Sequence, residues 1–200
     1  MFNFTYCPIL ESRVIESAEK KSKHALRTAV LITDIGNDLM YGVSAETLIA
    51  SLNEIIDRML GWNANIFLTS IHVNLKKDVS PTTFLLLRFL FYPGSKVAFD
   101  EVDLFVTKVN RYLEEKSRIN ERVHLIKGME TFAGLDKIHF SLFKAHSAWS
   151  KVANEIFQVI NISSQKKIGF ADGVKSVVDN LMRLTLSDIF RLKKKGREFF

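Results

Sequence analysis

Three short apolar segments constrain the fold of this chain more than any other feature of its sequence. They are residues 28–35 (TAVLITDI), 64–71 (ANIFLTSI) and 122–128 (RVHLIKG). The first two have the near-continuous apolar character of strands that are buried on both faces of a parallel sheet. Segments with helical spacing lie between the three. Strands that alternate with helices predict crossover connections and a parallel sheet covered by helices on both faces.

The helices are predicted from start signals and from apolar spacing. Ser44 is a candidate N-cap for a helix over 44–62, and Ser80 followed by Pro81 is typical of a helix start. Apolar spacing predicts further helices at 9–26, 97–118 and 141–160. We therefore expect an α/β protein, a three-layer α/β/α sandwich over residues 1–162, followed by a helical extension at 163–200.

The predicted extension carries most of the net charge. The chain has a formal net charge of +6, and residues 183–200 contribute +4 of it. Leucine, isoleucine and phenylalanine are interleaved with these cations, which favours a peripheral membrane contact through this tail. The rest of the chain has no basic and aromatic motif of the kinds that bind nucleic acid, so no nucleic-acid partner is expected.

Cysteine content and hydropathy favour a soluble protein in the cytoplasm. Cys7 is the single cysteine, which excludes an intramolecular disulfide and indicates a reducing compartment. The start of the chain does not resemble a secretory signal peptide. The longest apolar stretch is interrupted by Arg88 and is too short to span a bilayer.

Polar residues follow the first predicted strand, where the ligands of open α/β sheets bind. In residues 33–42 (TDIGNDLMYG), Asn37 and Asp38 lie in a turn that Gly36 and Gly42 make more flexible. The amide of an asparagine can donate a hydrogen bond to an oxygen that becomes negative during acyl transfer, an interaction of roughly 3–4 kcal/mol in hydrolases. Asparagine and aspartate are also ordinary turn residues, so both interpretations stay open.

A second constellation lies after the third predicted strand. In residues 135–149 (LDKIHFSLFKAHSAW), Asp136 and His139 are three positions apart, just before a predicted helix. In a Ser-His-Asp arrangement the carboxylate orients the imidazole, which then takes the proton of the nucleophile. The alternative is that Asp136 caps local backbone and His139 is an ordinary loop residue.

Taken together, the two stretches resemble the SGNH, or GDSL-type, serine hydrolases, a family of esterases, lipases and acyl-transfer enzymes. IGNDL (35–39) is similar to that family's G-x-N-D block and the Asp136 to His139 stretch to its D-x-x-H block. The resemblance covers roughly residues 9–160. It implies that Asn37 is the oxyanion-hole asparagine, that His139 is the general base and Asp136 its orienting carboxylate, and that ester cleavage needs no metal or organic cofactor. Gly36 and Asp38 would support the asparagine.

The family's nucleophile block, a G-D-S-L-like turn, has no counterpart in this sequence. Ser12 lies too close to Asn37 for the family's spacing, Ser70 falls in the second predicted strand, and Ser141 is a candidate N-cap. Cys7 is interpreted as a small buried residue. We therefore expect that this chain lacks the family's first strand–helix unit. A shortened gene product, a misassigned start or a pseudoenzyme would explain that absence, and the nucleophile is left unassigned.

Two other functions fit the same residues. A catalytically inactive relative would bind an acyl or glycan ligand or a protein partner without a reactive serine. A metal-dependent hydrolase would instead use carboxylates and imidazoles at the ends of the strands. The candidate ligands for that ion are Asp34, Asp38, His72, Asp136 and His139.

Overall fold

The computed structural model describes residues 9–10, 13–134, 137, 139–141 and 143–163, and the single positions 172, 174, 175 and 178. Three strands lie in this part of the chain: β1 (Ala29–Ile32), β2 (Asn65–Thr69) and β3 (Val123–Ile126). A 3₁₀ turn, Glu130–Phe132, follows β3. The helices are α1 (Val14–Ser22), α2 (Asn37–Met40), α3 (Ala45–Gly61), α4 (Leu75–Asp78), α5 (Pro81–Phe91), α6 (Phe99–Ile119) and α7 (Ala145–Val159).

The three strands form one parallel sheet in the order β1-β2-β3. Side chains alternate between its two faces, as the pleat of a strand requires. In β2, Ile66 and Leu68 join a core cluster with residues of α3 and α6, whereas Phe67 joins a second cluster with Ala148 and Val152 of α7. Helices thus pack on both faces, and the predicted α/β class is confirmed.

The first strand is shorter and more exposed than predicted. Residues 28–35 were expected to be buried on both faces, but Ala29 is exposed and the other three residues of β1 are only partly buried. The cause is its place in the sheet, because β1 pairs with β2 and lies at an edge of the described strands. The central strand β2 has four buried residues out of five.

Two predicted helix starts are confirmed and a third is wrong. The Ser44 and Ser80 hydroxyls accept hydrogen bonds from the backbone N–H groups of Thr47 and Thr83, both at 3.1 Å. Ser141 does not cap α7, which begins after Lys144. The backbone N–H of Ser141 instead donates to Phe132 at 2.9 Å and ties this segment to the 3₁₀ turn.

The predicted extension at 163–200, with its basic tail, lies outside the described residues except at its first position and four later ones. Cys7 and Ser12 also lie outside them. Among the described residues, no helix combines the length and the apolar character needed to cross a bilayer.

Candidate functional site

A cavity of about 110 Å³ opens where β1 and β2 end. Parallel strands present their carboxyl ends at one edge of a sheet, so the loops after β1 and β2 meet there. Most of the lining is apolar, and α5 and α6 supply one wall through Phe84, Tyr92, Val102 and Val106. The lining residues from the strand ends and loops include Thr33, Asp34, Ile35, Gly36, Asn37, Thr69, Ser70, Ile71, His72, Met129 and Phe140.

Asn37 is held at this cavity by a side chain from a distant part of the chain. The Tyr92 hydroxyl donates a hydrogen bond to the Asn37 side-chain carbonyl oxygen at 3.0 Å. Because the amide group is planar, fixing its oxygen also fixes the direction of its NH₂ group. Asn37 therefore retains two oriented donors for a ligand oxygen.

The backbone around Asn37 is a tight turn. Asp34 has a left-handed φ of 58°, and its carbonyl accepts the N–H of Asn37 at 3.1 Å. Gly36 packs against Ile71, since a Cβ at Gly36 would lie 3.4 Å from the Ile71 Cγ2 atom. Asp38 is exposed in the first turn of α2. Gly36 thus lies beside the loop after β2, and a side chain there would make ordinary van der Waals contact with Ile71.

The loop after β2 is fixed by Asn110 of α6. The Asn110 side-chain carbonyl accepts the backbone N–H of Ile71 at 2.9 Å, and its NH₂ group donates to the Ile71 carbonyl at 2.8 Å. Both backbone groups of a loop residue are thus satisfied by one side chain. The arrangement holds Ile71 against Gly36 and sets one wall of the cavity.

Ser70 lies at this edge and is the single serine that lines the cavity among the described residues. The predicted strand 64–71 included it, but β2 ends at Thr69. The Ser70 backbone N–H donates to the Ile126 carbonyl at 3.4 Å. Its neighbour Thr69 donates a hydroxyl hydrogen bond to the Thr33 hydroxyl at 3.3 Å, which joins the ends of β1 and β2.

His139 is exposed and lies against α5. Its ring centroid is 5.1 Å from that of Phe91, with an interplanar angle of 57°. The backbone N–H of Gly134 donates to the His139 carbonyl at 2.7 Å, and Ala133 and Phe140 form an antiparallel bridge. The loop that carries His139 is thus closed at its base. The predicted partner Asp136 lies outside the described residues.

His72 lies deeper at the same edge. Its ring stacks on that of Phe140 with centroids 5.4 Å apart, and Phe140 meets Trp149 edge-on at 6.2 Å. Phe140 follows His139 directly, so this stack joins the loop after β2 to the loop after β3. His72 and Phe140 both line the cavity.

Phe91, the last residue of α5, and Tyr92, its C-cap, each contact one of the predicted site residues. Phe91 contacts the His139 ring, and Tyr92 binds the Asn37 side chain. Consecutive Cα atoms are about 3.8 Å apart. The end of α5 therefore contacts both stretches, although His139, unlike Asn37, is not among the residues that line the cavity.

The candidate metal ligands are not grouped in the described part of the chain. No three His, Cys, Asp or Glu side chains there lie close enough together to hold a metal ion. Asp136, one of the five predicted ligands, is outside it.

The sequence interpretation missed Tyr92 and Asn110. Tyr92 carries no local signal beyond its place at the end of a helix, before Pro93 and Gly94. Asn110 did carry one, because it is a polar residue beside Val109 on the apolar side of α6. Such a residue needs hydrogen-bond partners when it is buried.

Comparisons of the chain with models of protein families, with curated proteins and with solved structures found no match in any of the three.

Proposed function

We propose that this chain carries the acyl-binding half of an SGNH-type esterase site and acts on carboxylic esters. The supporting observation is the pair of contacts at the end of α5, where Tyr92 orients Asn37 and Phe91 contacts His139. The adjoining apolar cavity suits the acyl part of an ester. No metal or organic cofactor is part of the proposal.

Each residue has a distinct role in the proposed reaction. A hydroxyl nucleophile attacks the ester carbonyl while the His139 imidazole takes its proton, with Asp136 as the orienting carboxylate. The carbonyl oxygen becomes negative and accepts a hydrogen bond from the Asn37 amide, which Tyr92 has already oriented. His139 then returns the proton to the leaving alcohol, and water hydrolyses the acyl-enzyme.

Ser70 is the nucleophile to test first, because it lines the same cavity as Asn37. The full chain would be treated with a fluorophosphonate probe, and the labelled residue would be mapped by mass spectrometry. Hydrolysis of short p-nitrophenyl esters would be measured in parallel. The variants are Ser70→Ala, Asn37→Ala and His139→Ala. His24→Ala is the control, because His24 is also exposed but precedes β1, at the opposite edge of the sheet.

We expect labelling and hydrolysis in the parent and in His24→Ala, and loss of both in His139→Ala. Asn37→Ala should lower kcat roughly 100-fold to 1000-fold with little change in KM, because an oxyanion donor acts in the transition state. Absence of labelling in a folded parent would contradict the proposed catalysis.

A catalytically inactive binding protein is the second candidate, favoured by the apolar lining of the cavity. It predicts saturable binding of a fatty acid to the parent without any fluorophosphonate labelling. A substitution that fills the cavity, such as Val106→Phe, should abolish that binding.

A further inference from the structure

The cavity at the ends of β1 and β2 has a polar end and an apolar end. Among its lining residues, Asp34 and Asn37 are exposed and Ser70 is partly buried, so these polar groups lie at the mouth. The lining residues of the inner end are apolar and at most 8% exposed; they are Met40, Leu75, Phe84, Val102 and Val106. The apolar part of a ligand would therefore point inward, while its polar atoms stay near Asn37.

Helices α5 and α6 close the inner end of the cavity. Val102 and Val106 are four positions apart in α6, so both lie on the same side of that helix. Phe84 of α5 is buried, and its ring meets the Phe99 ring edge-on with centroids 5.4 Å apart. Phe84, Val102 and Val106 all belong to the main core cluster. Because protein interiors are close-packed, a ligand chain that reached these residues could extend no further without displacing them.

The volume of the cavity limits the size of the group that enters it. A cavity of about 150 Å³ is large enough for benzene. At the same space per carbon atom, the volume of about 110 Å³ holds roughly four carbon atoms. We propose that the substrate is an ester of a short linear acyl group, from acetyl to butyryl, and that Val106 limits the length of the chain. This inference rests on the proposed function, because it assigns the acyl group of that ester to the cavity.

A series of esters with one leaving group measures the limit. The esters are p-nitrophenyl acetate, butyrate, hexanoate and octanoate; the p-nitrophenyl group is larger than benzene and stays outside the cavity. Burial of one methylene group changes a rate or equilibrium constant by roughly fourfold. We therefore expect kcat/KM to rise roughly tenfold from acetate to butyrate. It should then fall at least roughly tenfold from butyrate to octanoate, whose chain exceeds the cavity.

Variants of Val106 test whether this residue limits the chain. Val106→Ala removes both methyl groups at the inner end, so the preferred ester should change from butyrate to hexanoate. Val109→Ala is the matched control, because Val109 is a buried valine of the same helix that does not line the cavity. Both alanine variants lose core packing, and circular dichroism would establish that each is folded. Val106→Ile adds a carbon at the same place without creating a void and should change the preference toward acetate.

Binding without turnover separates this inference from the proposed hydrolysis. Butyrate and octanoate would be titrated into the full chain, and the methyl resonances of Met40 and Val106, which line the inner end, would be followed by NMR. Butyrate should bind at least roughly tenfold more tightly than octanoate in the parent and in Val109→Ala. The difference should shrink in Val106→Ala.

The two proposals fail in different ways. If no ester is hydrolysed but butyrate binds more tightly than octanoate, the proposed catalysis is wrong and the short-chain cavity stands. The short-chain inference is overturned if octanoate binds as tightly as butyrate, if neither acid binds, or if the octanoate ester is hydrolysed as fast as the butyrate ester. It is also overturned if Val109→Ala changes the chain preference as much as Val106→Ala.

Discussion

The Tyr92 hydroxyl donates a hydrogen bond to the Asn37 side-chain carbonyl at 3.0 Å, across 55 positions of sequence. This bond links the C-cap of α5 to the turn after β1. It uses the oxygen of the Asn37 amide, so the NH₂ group of the same amide keeps a fixed direction. Asn37 alone could be a turn residue. An asparagine whose amide is fixed at the wall of an apolar cavity can donate hydrogen bonds to an oxygen atom placed there.

Tyr92→Phe removes only the hydroxyl and should impair the site more than the fold. We expect kcat for ester hydrolysis to fall roughly tenfold to 100-fold with KM nearly unchanged, because an unoriented Asn37 stabilises the transition state less well. The unfolding free energy should fall by about 1 kcal/mol. Tyr41→Phe is the control, since the Tyr41 ring contacts Tyr92 edge-on at 5.5 Å and is exposed. Equal kinetic effects in the two variants would argue against an orienting role for Tyr92.

Asn110→Ala should destabilise the protein by about 2 kcal/mol, because two backbone groups of Ile71 lose their partner. Urea unfolding of parent and variant measures the difference. Asn154→Ala, at an exposed position of α7, should change stability by less than about 0.5 kcal/mol. Unchanged stability in Asn110→Ala would show that water replaces the side chain without loss.

The two glycines around Asn37 should respond differently to alanine. Gly42 has a φ of +84°, a conformation that costs an L-residue about 1 kcal/mol, so Gly42→Ala should lower the thermal midpoint. Gly36 has an ordinary φ of −77°, and its new methyl group would meet Ile71 at 3.4 Å, within normal contact. Gly36→Ala should therefore leave the midpoint almost unchanged. A larger loss at Gly36 than at Gly42 would contradict this explanation.

His124 of β3 should make stability depend on pH. Burial lowers its pKa from the ordinary value of 6.5, and its ring stacks on Phe67 at 4.9 Å. The unfolded chain therefore takes up a proton at a higher pH than the folded chain. The contribution of neutral His124 to the free energy of unfolding is therefore fully present above about pH 6.5. It is lost as the pH falls through that value toward the lower pKa of the folded state.

The variant His124→Gln tests this origin of the pH dependence. Unfolding free energies measured in urea at several values between about pH 5 and about pH 8 should fall with acid in the parent and less steeply in the variant. Parallel curves would assign the dependence to other groups.

The sequence predicted the features that depend on neighbouring residues. Ser44 and Ser80 cap their helices because the cap is a contact between residues three positions apart. The three strands and their parallel pairing follow from apolar runs that alternate with helices. Asn37 was correctly expected at the carboxyl edge of the sheet, because it follows β1 directly.

Contacts between distant residues could not be predicted in the same way. Tyr92 and Asn37 meet only because α5 ends beside the turn after β1, and no local pattern encodes that position. The exposure of β1 likewise depends on its place in the sheet, whereas its composition matches that of a central strand. The roles of Asp136 and His139 stay predictions.

The adjacent residues Phe91 and Tyr92 also connect Asn37 and His139 by a short route. If Asn37 and His139 were aligned through the hundred residues between them, small displacements in every element would accumulate. A shorter connection between them passes through two side-chain contacts and one planar peptide bond. A displacement of the end of α5 would therefore move both contacts together, whereas a displacement elsewhere in the sheet would not pass through this connection.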